Sequence, residues 1–277
     1  MKKNPIQSLL LCLFIAAGFS IFANPVLAED KTTPDTKDLA KASQNPVSTL
    51  ISVPFEMNNT FNNGPEDAYA MTLNIKPVIP MSFSENWNLI NRVIVPVAYQ
   101  GEFYQDQGSV SGLGDITYQS FFSPKKVGKF IWGVGPMLMM PTGMDRLTTN
   151  QWSLGANAVG LVMPGHWVFG ALVSNVWNVG NGYDDAPDVN MFSGQYFVNY
   201  NMDGGWFLSM SPTITANWEA EDSDDTWTVP FGGGVGRVFK IGKQPVNMQL
   251  KAYYNAVKPD DASDWNLQYT CIFLFPK

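Results

Sequence analysis

From about Val47 to its end the chain is written in a period of two. Segments of about ten to fourteen residues alternate apolar with polar or small side chains, and clusters of Gly, Asn, Asp and Pro separate them. Successive side chains of a strand point to opposite faces, so this pattern describes strands with unlike faces. No long stretch carries a convincing helical period. The spacing predicts twelve strands, near 48-58, 69-82, 87-100, 112-123, 130-141, 151-163, 166-178, 188-201, 205-218, 226-240, 245-257 and 264-275. The rule is plainest in the second half. Trp206, Leu208, Met210, Ile214, Ala216 and Trp218 share one face, and Phe207, Ser209, Ser211, Thr213, Thr215 and Asn217 the other. Likewise Val246, Met248, Leu250, Ala252, Tyr254 and Ala256 oppose Asn247, Gln249, Lys251, Tyr253 and Asn255.

A soluble β-sandwich also alternates, so two further features decide the class. The apolar rows begin or end with aromatics: Tyr69, Trp87, Tyr99, Trp132, Trp152, Trp167, Trp206, Trp218, Trp227 and Trp265. Amphipathic rings at strand ends suit the two lipid–water boundaries. The connections also alternate in kind. Ser84 to Asn86, Pro124 to Gly128, Pro164-Gly165, Asp203-Gly204 and Gly242-Lys243 are short. Those around Asn59 to Asp67, Gly101 to Ser111, Thr142 to Asn150, Gly180 to Asp188, Glu219 to Asp225 and Pro259 to Asp264 are longer and more acidic. Short periplasmic turns and longer outer loops are the asymmetry of outer-membrane barrels, and an even strand number puts both termini on one side. The expected fold is all-β: a transmembrane antiparallel up-and-down barrel of about twelve strands over residues 47–277, in a Gram-negative outer membrane.

Composition agrees. Only 15% of residues are charged, against roughly 25% in soluble proteins, while aromatics reach 13% with nine Trp. The net charge of -7 offers no basic stripe to nucleic acid. Residues 1–28 read as a secretory signal: Lys2 and Lys3, an apolar stretch from about Leu9 to Phe22, and the small-residue site Val26-Leu27-Ala28. Cys12 would leave with it, and a lone Cys271 makes no disulfide framework. Residues 29–46 are polar and read as a flexible periplasmic segment or, alternatively, a small plug in the lumen.

Beyond about residue 112 the chain resembles a known family. The residues are GDITYQSFFSPKK (Gly114 to Lys126), WGVGPM (Trp132 to Met137) with PTG (Pro141 to Gly143), WVFGALVSNVWNVG (Trp167 to Gly180), QYFVNYN (Gln195 to Asn201), GWFLSMSPTITANWEA (Gly205 to Ala220), WTVPFGGGVGRVFKIGKQPVNMQLKAYYN (Trp227 to Asn255) and the closing FLFPK (Phe273 to Lys277). They are similar to outer-membrane proteins grouped as MetA-pathway of phenol degradation, transporter-like and sometimes misnamed neuromedin U. The resemblance implies an outer-membrane barrel linked to uptake of small, often aromatic or hydrophobic compounds. It carries over no catalytic residue and no defined ligand.

Candidate functional residues follow from parity. Glu56, Lys76, Arg92, Asp115 and Lys251 are expected to point inward, because Lys or Arg facing lipid at mid-depth costs roughly 2–4 kcal/mol. With Gln249 and Tyr253 they form the candidate solute path, either a rigidifying polar network or a selective constriction. The acidic loops hold Glu221, Asp222, Asp224 and Asp225, beside Asp184, Asp185, Asp188, Asp260, Asp261 and Asp264; they are solvated tips or a cation-binding loop. Gly232 to Gly236 sits between strand-like flanks and reads as a tight bend, or as room for a ligand or bulky neighbour in the lumen, not as a phosphate loop. His166, the single histidine, lies in a short turn, and one His with one Cys is too few for a zinc site. No catalytic residue, metal or cofactor is expected. The expected partners are outer-membrane lipids and lipopolysaccharide, a small-molecule solute, and the barrel-insertion machinery. The last of these would read the aromatic row ending at Phe273 and Phe275.

Overall fold

A computed structural model describes residues 35–126, 128–144, 146–181 and 187–276. The signal segment, Asp184, Asp185 and Lys277 lie outside the described residues. Fifteen strand segments form one closed antiparallel sheet of twelve staves. In chain order they are β1 (Ile51–Asn63), β2 (Ala68–Ile75), β3 (Val78–Ser82), β4 (Trp87–Gln100), β5 (Val110–Leu113), β6 (Ile116–Pro124), β7 (Phe130–Met140), β8 (Gln151–Val162), β9 (Trp167–Asn181), β10 (Asn190–Asn201), β11 (Trp206–Met210), β12 (Thr213–Asn217), β13 (Trp227–Ile241), β14 (Gln244–Val257) and β15 (Trp265–Phe275). Three staves are split: β2 with β3, β5 with β6, and β11 with β12. Each stave pairs with the next, and the last closes on the first, from Ile51 opposite Phe275 to Phe61 opposite Trp265. This is the transmembrane up-and-down barrel expected from the alternation.

The splits have local causes. Pro77, which has no N–H to give to a ladder, parts β2 from β3. Ser211-Pro212 parts β11 from β12. At that second break the wall changes. β13 pairs with β11 up to Ser209 and with β12 only from Thr215, so the ladder is interrupted between. Facing the gap stands the glycine run. A Cβ on Gly234 would lie 1.9 Å from the Leu250 carbonyl oxygen, and one on Gly232 would lie 2.1 Å from that of Ala252. The backbones of β13 and β14 approach too closely here for any side chain, as the bend reading of this run requires. The short turns use positive φ where expected: β13 reverses into β14 through Gly242 at φ 61°.

Outward rows are apolar and exposed, and rings cluster at both ends. Near the long loops Trp218 meets Trp227 (centroids 5.3 Å) and Tyr254 meets Trp265 (4.9 Å). Near the short turns Trp87 meets Trp132 (5.8 Å) and Trp167 meets Tyr200 (4.8 Å). These are the two interfacial belts.

The interior is not polar throughout. Toward the short turns the inward positions are apolar and buried: Ile90, Phe121, Leu161, Val168 and Phe197 form one cluster with Val47, and Phe207, Val238, Ile272 and Leu274 form a second. The second cluster is completed by a helix, α1 (Thr36–Ser43), through Leu39 and Ala40. Asp35 caps α1 by accepting from the Lys37 amide, Asp38 lies in its first turn and Lys41 in its last, all favourable to the helix dipole. Ordered helix therefore stands where part of a flexible segment was one of the expectations.

Placing Val at Gly234 should force apart β13 and β14 at a cost of about 1–3 kcal/mol or more. Ala at the uncrowded Gly128 should cost little. Heat-modified migration and thermal unfolding in detergent would show a lowered midpoint for the first variant only.

Candidate functional site: a charged tier above an apolar floor

Among the described residues Glu56 is the sole carboxylate on any strand. It sits mid-strand on β1, with its neighbours Phe55 and Met57 on the opposite face. Lys76, at the kink between β2 and β3, donates to Glu56 Oε1 at 2.5 Å. Asn58 Nδ2 donates to the same oxygen at 3.3 Å, and Asn58 Oδ1 in turn accepts from Asn266 (3.2 Å) and Gln268 (3.0 Å) of β15. The charges of Arg92 on β4 and Lys251 on β14 also act on Glu56. One carboxylate and three cations, on β1, at the β2–β3 kink, on β4 and on β14, thus form a charged tier in which Lys76 is the direct partner of Glu56.

Lys251 is buried, 7% exposed, and donates to Ser211 Oγ at 2.8 Å; the Tyr253 hydroxyl lies 3.4 Å from the same oxygen. Ser211 belongs to the break between β11 and β12. Both side chains of β14 reach it across β13 where β13 carries only glycine, so the run also supplies the room that the sequence reading allowed. Arg92 spreads over the Phe121 ring, 5.9 Å from its centroid, at the top of the apolar floor. Gln249 donates to Asn247 Oδ1 at 3.3 Å. It lies one inward position nearer the floor than Lys251. Six of the seven path candidates therefore stand in or beside this tier.

Asp115 stands apart. Its carboxylate accepts from the Gly143 amide (3.0 Å), Thr148 Oγ1 (2.7 Å), the Thr149 amide (2.7 Å) and Thr149 Oγ1 (2.9 Å). It pins the loop between β7 and β8. The parity argument could say that it points inward, but not that a distant loop would fold onto it.

Among the described residues the acidic loops form no cluster of metal-ligand type; Asp184 and Asp185 lie outside them. Glu221, Asp222, Asp224 and Asp225 are exposed around a single 3-10 turn, and among the described residues no group of three or more acidic, His or Cys side chains converges as a metal would need. The acids tie loops together instead. Tyr104 donates to Asp261 (3.2 Å), the Asp260 amide to Asp225 (3.4 Å), and Asn62 to Asp264 (3.0 Å), which also pairs with Lys258 at 3.5 Å. The Asn62 bond first, and Lys258 beside it, hold Asp264 below the usual carboxylate range despite some desolvation. His166 is equally structural: its Nδ1 meets the Asn201 carbonyl at 2.8 Å and its ring leans on Tyr200. At that same end Lys41 donates to the Gly165 carbonyl, Lys37 pairs with Asp203 (3.4 Å), Gln44 exchanges bonds with Asn201, and Asn247 donates to Ser43 (2.8 Å).

These features define a transmembrane β-barrel with a polar, charged middle and a packed floor. Among solved structures the chain is similar to the COG4313 outer membrane channel from Pseudomonas putida F1, with a TM-score of 0.65 at 19% identity over 83% of this chain and 97% of that one. It is also similar to the NanC porin, with a TM-score of 0.50 at 10% identity over 82% of this chain and all of the porin. At these identities the likeness is one of fold. No family model and no curated protein matches the chain.

Two outcomes test this description. Asp115→Ala should free the 142–149 loop and speed tryptic cleavage after Arg146 by roughly tenfold or more, since bonds to a charged group each contribute about 1.5–3 kcal/mol. Asp264, its pKa depressed by folding, contributes its tie fully above the unfolded value of 3.8 and loses it as pH falls through the lower folded value. Hydrogen exchange in the 258–264 loop should therefore be unchanged from pH 7 to pH 5 once corrected for intrinsic rates. Protection should fade only below about pH 4.

Proposed function

We propose that the chain is a Gram-negative outer-membrane barrel for passage or uptake of a small solute, and not an enzyme. The observation that carries this reading is the two-signed tier of Glu56, Lys76, Arg92 and Lys251 inside a wall whose outer rows are apolar. A twelve-stave cylinder encloses more space than an eight-stave one, and fixed charges at its waist sort what enters. The resemblance to phenol-degradation outer-membrane proteins favours a solute with an aromatic or hydrophobic body. Lipids and lipopolysaccharide would contact the outer rows between the two aromatic belts.

In this reading residues 29–46 act as a plug. Helix α1 buries Leu39 and Ala40 against inward side chains of β11, β13 and β15 and is tied by polar bonds to the short-turn end. The same contacts favour a second reading, a closed barrel that acts through its interlinked acidic outer loops. The two differ in conductance. In planar bilayers the full chain should give small, resolvable current steps, and removal of residues 29–46 should enlarge them. Silence in both forms, with the barrel folded, would leave only the closed reading.

A further inference from the structure

The tier has a charge imbalance that the protein itself does not settle. Three cations face one carboxylate, and that carboxylate is taken by Lys76. Lys251 has only hydroxyl oxygen as its hydrogen-bond partner. Among the described residues no hydrogen bond or ion pair engages the Arg92 guanidinium, whose central carbon lies 5.9 Å from the centre of the Phe121 ring. No other strand carboxylate exists among the described residues to balance them, and Asp115 is spent on the β7–β8 loop. Cations held together in a half-buried setting favour an anion, and guanidinium offers the paired donors that match a carboxylate.

We propose that this tier is a binding site for a small carboxylate. Its acid group would be met by Arg92, Lys251 and Lys76. The proposal deepens the passage reading by naming the chemical class of the solute. It also gives Glu56 a definite role: it is a built-in competitor that occupies Lys76 and keeps affinity low enough for release.

The test uses the full chain, folded in detergent, with benzoate as probe and benzyl alcohol as its uncharged counterpart. Titration calorimetry should give saturable benzoate binding, and benzyl alcohol should bind at least about tenfold more weakly. Arg92→Gln and Lys251→Gln should each weaken benzoate by about tenfold and leave benzyl alcohol unchanged; Arg92→Lys should recover part of the loss. Glu56→Gln should tighten benzoate, a gain that misfolding cannot imitate. Equal binding of the two probes would overturn the proposal, as would weaker benzoate binding by a folded Glu56→Gln variant. Liposome flux separates the two readings. Benzoate binding without flux of either probe sinks passage and keeps the site. Flux of both probes without preference, together with equal binding, sinks the site and keeps passage.

Discussion

Everything in this molecule depends on the pairing of β15 with β1. In lipid no water exists to satisfy a backbone N–H or carbonyl, so a spanning sheet must leave no edge. The eleven residue pairs from Ile51–Phe275 to Phe61–Trp265 remove it. Closure fixes parity around the whole cylinder, since a slip of one residue would send every inward side chain to lipid. The position of Glu56 beside Lys76, and of both near Lys251 on the far side of the seam, follows from that register.

The wall then has to be bent tightly, and the bend concentrates at β11 to β14. There the ladder opens around Ser211-Pro212, and the Gly232–Gly234 stretch brings two backbones into contact. Polar groups freed by such an opening need partners. Lys251 and Tyr253 supply them from two strands away, closing on Ser211 from the lumen side. An apolar hollow of about 530 Å³, lined by Trp167, Val198, Tyr200, Leu208 and Met210 among others, lies on the outer wall beside the same opening. Glycine here does two things at once: it permits the close approach and leaves space for neighbours' side chains to cross.

Much of this was legible in the sequence, and the parts that were not share a cause. The strand from Trp87 to Gln100 falls where its alternation put it, and the other staves agree within a few residues. Period, turn residues and ring position are local, so they can be read locally. Inward placement of Glu56, Lys76, Arg92 and Lys251 was legible for the same reason. Their convergence was not, because curvature and register bring β1, β4 and β14 together, and neither is written in any one segment. Asp115 shows the same limit, its partners lying some thirty residues away. Helix α1 was hard to see because eight residues with few apolar anchors carry almost no periodic signal, and such a helix forms only when tertiary contacts support it. The apolar floor did leave a trace: Phe207, Ile272 and Leu274 stand in rows that are otherwise polar or small, always near the short turns.

That depth gradient explains how a barrel can be both firmly folded and charged within. A cylinder full of water would rely on its ladder alone. Here the short-turn end is packed like a soluble core, with Ile90, Phe121, Phe207, Val238 and Leu274 all fully buried, and burial of such side chains contributes about 1.5–3 kcal/mol apiece. Stability gathered there lets the tier above hold like charges near one another, an arrangement that costs free energy wherever it is not matched by an anion or by water. Packing and recognition are thus stacked along one axis: the short-turn end holds the barrel together, and the middle is free to be electrostatically unbalanced.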